Sequence, residues 1–205
     1  MPPARRTPSR RRDVEAPPRI QWLLDPITMS AALVRNGRLD VIAHNALGRA
    51  LHALMFESPA TDKRGRPNFA RYHFLDTGSR DFFVDWEAGA ATVALLRAEA
   101  GREPHDRALR ELIGELSTVS ADFRTLWAAH DVRIRHEGIK RVQHPEVGPL
   151  EVTYQSLGLP VSQRAVHDLN LYTAEPGSTS EDQLKLLASL AVTPSPATEP
   201  TDRLS

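Results

Sequence analysis

The fold is decided by residues 120–177, which read SADFRTLWAAHDVRIRHEGIKRVQHPEVGPLEVTYQSLGLPVSQRAVHDLNLYTAEPG. The first part, Ser120 to His130, repeats at the i, i+3, i+4 and i+7 spacing of one helical face, and Ser120 stands where its hydroxyl can cap the first turn. The residues of that face are Phe123, Leu126, Trp127 and His130. The pattern predicts an amphipathic helix that leads into a curved sheet closing over a pocket.

Three strand-like segments follow this helix. Residues 150–154 alternate between apolar and polar side chains, and a turn at residues 147–149 separates them from the segment Lys140 to His144. These two segments predict an antiparallel hairpin. A third segment, Val166 to Thr173, is rich in residues that suit a pleated sheet, so we expect a third strand there.

The amino-terminal half predicts a hairpin followed by helices. Ala31 to Arg35 and Arg38 to Ala43 flank Asn36-Gly37, a dipeptide typical of a two-residue type I′ turn, and Asn45 stands where it can cap the next helix. Two helices are predicted in the middle of the chain, with apolar faces formed by Trp86, Ala90, Val93, Leu96 and Ala100 and by Leu109, Leu112, Ile113 and Leu116. A last helix is predicted near the carboxy terminus, where a capping-box signature at Ser180 and Gln183 precedes the apolar face of Leu184, Leu187, Ala188 and Ala191. This order favours an α+β fold, with an antiparallel sheet of about five strands and the helices packed on one face.

Composition indicates one soluble domain. The chain has 205 residues, 40% of them hydrophobic, and its 26 basic side chains balance its 26 acidic ones, which is unlike a protein that wraps nucleic acid. It contains no cysteine and no apolar run of membrane-spanning length, so we expect a soluble, unexported, cytoplasmic protein without membrane contact. The basic, proline-rich residues 1–18 and the residues 192–205 predict disordered tails around a domain at 19–191.

No catalytic or metal-binding constellation is evident. His130, Asp131, His136 and His144 lack the helical i, i+4 spacing of a zinc protease. The carboxylates between Asp76 and Asp85 could act as an acid and base pair, but such residues more often cap helices or face solvent. Neither a nucleophile elbow nor a phosphate-binding glycine loop is present, so we expect no enzyme activity, no metal and no cofactor apart from a bound ligand.

Aromatic residues from separate elements predict a small-molecule pocket. The fold would bring together Phe74, Phe83, Trp86, Trp127, Tyr154 and Tyr172. A mostly apolar cavity with a few polar groups is the usual form of a ligand site, although each of these residues could equally belong to an ordinary core. For an acidic head group, Arg124, Arg133 or His144 could supply the cation, because a buried carboxylate needs a charged or hydrogen-bonding partner.

Several short, separated sequence segments resemble the ligand-binding domain of MmyB-like transcription regulators. This domain is the sensor half of helix-turn-helix regulators of the xenobiotic-response-element (XRE) type, which are common in actinobacteria. The segments are LWAAHDVR at 126–133, KRVQHPEVG at 140–148, LYTAEPGS at 171–178, RLDVIAHN at 38–45, FLD at 74–76 and DWE at 85–87. They stand in the family's order and cover Arg19 to Ala191. The resemblance implies a PAS-like domain that holds a small apolar ligand such as a fatty acid, with Asn45 at a position matched to a family asparagine.

The sequence departs from the family pattern in two places. About eighteen residues precede the matched region, too few for a helix-turn-helix module, so the resemblance does not carry DNA binding over to this chain. His44 stands where the family often has tryptophan. Two hypotheses follow: a sensor domain that binds a fatty-acid-like ligand, or an interaction protein that forms homodimers or pairs with full-length relatives. A gene start placed downstream of a helix-turn-helix segment would explain the first departure as well.

Overall fold

The computed structural model describes residues 16–60, 66–85, 87–129, 134–162 and 165–192. Two predicted ligand-binding residues, Trp86 and Arg133, lie outside the described residues, as does His130 of the predicted helical face. Most of the two predicted tails also lies outside them. Among the described residues, no helix has the length and apolar character needed to cross a lipid bilayer.

Five strands form one antiparallel sheet. They are β1 (Ala31–Arg35), β2 (Val41–His44), β3 (Glu137–His144), β4 (Gly148–Ser162) and β5 (Ala165–Thr173). The spatial order is β2-β1-β5-β4-β3, so the first hairpin joins the carboxy-terminal meander through the pairing of β1 with β5. The predicted α+β fold with a five-stranded, PAS-like antiparallel sheet is confirmed.

The described helices are mostly inserted between β2 and β3. They are α1 (Pro18–Leu24), α2 (Ala46–Leu51), α3 (Ala53–Phe56), α4 (Phe69–Leu75), α5 (Ser79–Phe82), α6 (Glu87–Arg102), α7 (Arg107–Val119), α8 (Ala121–Ala128) and α9 (Thr179–Val192). The predicted cap of α8 is present, because the Ser120 hydroxyl accepts a hydrogen bond from the Phe123 amide.

The sheet separates two apolar clusters. The larger one lies between the sheet and α2 to α9, and fully buried side chains such as Leu33, Leu96 and Phe123 belong to it. The smaller one lies on the opposite face, where Ile20 and Leu24 of α1 pack against the outward side chains of β1, β2 and β5. Strand alternation explains the division, since successive side chains point to opposite faces.

The first hairpin turns through a longer loop than the sequence predicts. Arg35 pairs with Val41, so residues 36–40 form the connection in place of the two-residue Asn36-Gly37 turn. The Asn36 side-chain oxygen accepts hydrogen bonds from the amides of Arg38 and Asp40, and Leu39 adopts a positive φ of 66°. The asparagine side chain therefore organises the wider loop by taking the place of a backbone acceptor.

The cap of α9 also differs from the sequence prediction. Ser178 accepts from the Glu181 amide, and the Glu181 carboxylate accepts from the amide of Gly177, the residue before the cap. This variant of the capping box lies two residues before the predicted one. The predicted cap, Ser180, accepts from the Glu151 amide of β4 with its hydroxyl. Ser180 therefore joins α9 to the sheet and does not begin the helix.

Candidate ligand-binding site

A lysine lies inside the helix-covered face of the sheet. Lys140 lies on the same face of β3 as Val142 and His144, because side chains two positions apart on a strand point the same way. Both of those residues are buried, so the Lys140 side chain points towards the helices. It pairs with Val152 of β4, another buried core residue. Lys140 itself is half-buried. A lysine on this face is unusual, because lysines are rarely buried unless they are paired.

Three aromatic rings surround the Lys140 ammonium. Its Nζ atom lies 4.8 Å from the ring centroid of Tyr154, 5.6 Å from that of Tyr172 and 5.9 Å from that of Phe83. Each distance is within the range of a cation–π interaction. Tyr154 and Tyr172 are direct partners across β4 and β5, while Phe83 reaches the site because it bridges to Val142 at the sheet edge. We call Lys140 with these three rings the lysine enclosure.

The charge of the lysine enclosure is not neutralised within the described part of the chain. No carboxylate there pairs with the Lys140 ammonium, and the nearest charge that perturbs it is another cation, Arg35. Burial, together with the Arg35 charge, lowers the pKa of Lys140 to about 7. Arg35 is 9% exposed, and its Nε atom lies 3.5 Å from a carboxylate oxygen of Asp168. Within the described residues, the positive charge of Lys140 is therefore unmatched.

Two buried histidines complete the polar surroundings of the enclosure. His52 packs against the Tyr172 ring at 5.0 Å, and His73 packs against the Phe83 ring at 4.6 Å. Burial, with a smaller effect of the Lys140 charge, lowers the pKa of each histidine to about 3, so both are neutral at physiological pH. Burial likewise raises the pKa of Tyr172 to about 12. Lys140 is consequently the group here whose protonation changes near neutral pH.

The tautomer of His73 follows from its neighbours. The Thr92 hydroxyl donates to the carbonyl of Ala88, so Thr92 Oγ1 is free to accept from His73 Nδ1 at 2.6 Å. His73 Nε2 is then the unprotonated nitrogen. It is buried and has no hydrogen-bond partner among the described residues.

A second aromatic group lies beside α6 and α8. The Phe123 ring stacks on Trp127 at 5.4 Å and meets Phe74 edge-on at 5.1 Å. The Arg97 guanidinium lies 4.6 Å from the Trp127 ring centroid, and two of its buried nitrogens have no hydrogen-bond partner among the described residues. This group is ordered by packing and by one cation–π interaction.

Two clefts open on the surface of the described residues. One, of about 510 Å³, is lined by residues that include Ile139, Thr153, Thr173, Pro176 and Ser178. The other, of about 600 Å³, is lined by residues that include Ile27, Met29, Asn45, Leu47, Lys185 and Ala188. Of the aromatic residues predicted to line a pocket, none of the five that the structure describes lies in either cleft. The lysine enclosure is therefore an interior feature, separate from these clefts.

The comparison with protein families now decides the identity of the domain. The family profile of the MmyB-like transcription regulator ligand binding domain matches residues 16–187. The chain belongs to this family. The resemblance inferred from the sequence segments is thus confirmed, and it extends through the whole sheet and most of α9. A search of curated proteins finds no match to the chain.

The MmyB-like domain gathers some of the predicted site residues and separates others. Phe83, Tyr154 and Tyr172 meet around Lys140, while Phe74 and Trp127 belong to the second aromatic group. The described structure does not include Trp86 or Arg133. A role for any of these residues in ligand binding stays a prediction.

Two of the polar residues predicted for the site, Arg124 and His144, make hydrogen bonds within the protein. Arg124 donates to the carbonyls of Ser117 and Thr118 at the end of α7. His144 Nε2 lies 3.1 Å from the Ala50 carbonyl, and its Nδ1 accepts from the Glu146 amide. Their predicted contact with an acidic head group also stays a prediction.

Lys140 and Arg35 are absent from the residues predicted from sequence. A signal for Lys140 was available, because it occupies an inward position of a strand whose other inward residues, Val142 and His144, are buried. Arg35 ends a strand whose five residues are all buried, which is equally unusual for arginine.

Removing the buried charge should stabilise the ligand-free MmyB-like domain. The pKa of Lys140 falls from 10.5 to about 7 on folding, so the unfolded chain holds its proton more tightly. Lys140→Met should therefore raise the free energy of unfolding at pH 7 by about 1–3 kcal/mol, after allowance for partial exposure and for lost cation–π contacts. Urea denaturation measures this, with the exposed Lys185→Met as the matched control. A loss of stability in Lys140→Met would show that the ring contacts outweigh desolvation.

Asn45, which lines the second cleft, has a structural role. Its side-chain oxygen accepts from the amides of Gly48 and Ala32, and its Nδ2 donates to the carbonyls of Ile27 and Ser30. Asn45→Ala should therefore cost about 2–4 kcal/mol, since a helix cap and three further buried contacts are lost together. The single cap Ser120→Ala should cost about 1 kcal/mol by the same denaturation measurement. Equal costs for the two variants would contradict this account.

Proposed function

We propose that this chain is the cytoplasmic ligand-sensing domain of an XRE-type transcription regulator and that it binds a fatty-acid-like ligand without catalysing a reaction. The observation that carries the proposal is the lysine enclosure, a cation without a carboxylate partner among the described residues, surrounded by three rings on the helix-covered face of an MmyB-like domain. Ligand sites typically combine such apolar walls with a small number of polar groups.

The energetics of the enclosure support a binding role over a purely structural one. A half-buried ammonium without a carboxylate partner lowers the stability of the ligand-free fold. A methionine could fill the same space without that cost. Groups that are unfavourable for stability are common at functional sites, where a ligand supplies the missing interaction.

A sensor must couple binding to a change in the protein. The ligand can shift a conformational or association equilibrium only by its difference in affinity for the two states. In this family's regulators the relevant states would differ in dimerisation or in contacts with the DNA-binding part. The sensor proposal therefore requires both occupancy and a ligand-dependent change of state.

Native mass spectrometry of the gently purified protein, compared with the mass of the denatured chain, tests occupancy. We expect additional mass that extracts into organic solvent as a fatty acid. With lipid-stripped protein, dodecanoate at about 100 times its Kd should raise the melting temperature by about 5 °C or more. Sodium dodecanoate must stay below its critical micelle concentration. A bare chain whose melting temperature no fatty acid of any length changes would refute the proposal.

A second function, dimerisation with related regulators, is favoured by the outer surface of α1. Ile20 and Leu24 face the sheet, whereas Trp22 is 72% exposed, Leu23 48% and the nearby Met29 58%. Clustered exposed apolar residues often mark interaction surfaces. Light scattering after size-exclusion chromatography should then detect a dimer that Trp22→Ser weakens. A monomer at every concentration, for both proteins, would exclude homodimerisation through this surface.

A further inference from the structure

We propose that the Lys140 ammonium binds the carboxylate head group of the ligand, with Arg35 adding to the positive potential and with Phe83, Tyr154 and Tyr172 forming the walls around the head group. This inference rests on the proposed ligand-binding function and assigns its specificity to residues. It differs from the sequence prediction, which considered Arg124, Arg133 and His144 as the cation.

The charge balance of the interior leads to this assignment. Arg35 has a carboxylate neighbour in Asp168, with Nε 3.5 Å from Oδ2, whereas the Lys140 ammonium has no carboxylate partner among the described residues. The positive charge at Lys140 is thus left unmatched. A single carboxylate would neutralise it and form a charge-assisted hydrogen bond, which is stronger than a neutral one, in surroundings of low dielectric constant. A doubly charged phosphate would exceed the available charge.

The two histidines that pack against the enclosure do not compete for this role. Both His52 and His73 are neutral at physiological pH, so neither supplies a cation for a carboxylate. A neutral head group would leave the ammonium without a counter-charge, and buried charges without partners are strongly unfavourable. The site should therefore discriminate against alcohols and esters of the same chain length.

The geometry also orients the ligand. The enclosure lies on the inner face of the sheet, near the edge strand β3, and the main apolar cluster extends from it towards α2, α4 and α9. A head group at Lys140 would direct the alkyl chain into this apolar layer. The helices would then determine which alkyl chain lengths fit, and the strand residues would recognise the charge of the head group.

The decisive experiment compares dodecanoate with dodecan-1-ol, two probes that share an alkyl chain and differ in charge. Isothermal titration calorimetry at pH 6.5, below the critical micelle concentration, measures both affinities for the wild type, Lys140→Met and the control Lys185→Met. We expect the wild type and the control to bind the acid at least about tenfold more tightly than the alcohol. Lys140→Met should bind both probes with the affinity that the wild type has for the alcohol.

The outcomes distinguish the head-group assignment from the proposed ligand-binding function. Equal affinities of the wild type for acid and alcohol, or a preference for acid that persists in Lys140→Met, would overturn the head-group assignment while leaving ligand binding intact. Failure of the wild type to bind either probe, or any fatty acid, would remove the proposed function and the assignment with it. Lys140→Gln, checked for folding by circular dichroism, is a second variant in case methionine perturbs the fold, and it should also lose the preference for the acid.

Discussion

Lowering the pH from 7 to 5 should reduce the free energy of unfolding of the domain by up to about 4 kcal/mol. A loss of this size is unusual in this range, because carboxylates titrate at lower pH. The cause is the pair of buried histidines. Both have a pKa of about 3 in the folded protein, against 6.5 for an unperturbed histidine. Between these values the unfolded chain binds more protons, so stability falls as the pH drops below 6.5. Urea denaturation at a series of pH values measures the slope.

The contribution of each histidine can be separated. His52→Gln and His73→Gln should each be less stable than the wild type at pH 7.5 but should flatten the pH profile, because glutamine does not titrate. His136, which is exposed, supplies the control His136→Gln. The lowered pKa values of His44 and His167 add to the slope in the same direction. A double variant of His52 and His73 with the wild-type slope would show that these residues are not the source.

The affinity for dodecanoate should fall about fivefold between pH 7 and 8 and about fiftyfold between pH 7 and 9. Lys140 has a pKa of about 7 in the free protein, so above that pH it is mostly neutral. A carboxylate binds the charged form, and each ligand bound at high pH must therefore be accompanied by the uptake of one proton. Titration calorimetry in buffers of different ionisation enthalpy measures both the affinity and the number of protons taken up.

The other titratable groups around Lys140 should not contribute to this pH dependence. Arg35 of β1 faces it as a second cation, His52 and His73 approach from the helical side, and Tyr172 from β5 and Tyr154 from β4 form its walls. The pKa values of about 3 for the histidines and about 12 for Tyr172 lie outside the pH range of the experiment. Binding of dodecan-1-ol should not depend on pH, and Lys140→Met should lose the dependence for the acid. A pH dependence that survives in Lys140→Met would place the titrating group elsewhere.

Much of the local structure could be predicted from the sequence. The alternation in 150–154, the strand at 166–173, the helix that carries Phe123, Leu126 and Trp127, and the caps at Asn45 and Ser120 are confirmed, since each depends on residues close together in the chain. The predictions failed where a side chain found a partner outside the local pattern. Ser180 bonds to β4 and leaves the cap to Ser178, and Asn36 builds a longer loop than its dipeptide suggests.

By itself the sequence determined the order and type of the elements, the aromatic content of the interior and the family. The tertiary structure alone decided which side chains meet. The strand order β2-β1-β5-β4-β3 joins Arg35 of β1 to a meander that begins about a hundred residues later, and it surrounds Lys140 with rings from β4, β5 and the Phe83 bridge. The physical reason is that desolvation acts only in the packed state. Lys140 is an ordinary lysine in the unfolded chain, and only burial beside Arg35 makes it a group that titrates near neutral pH.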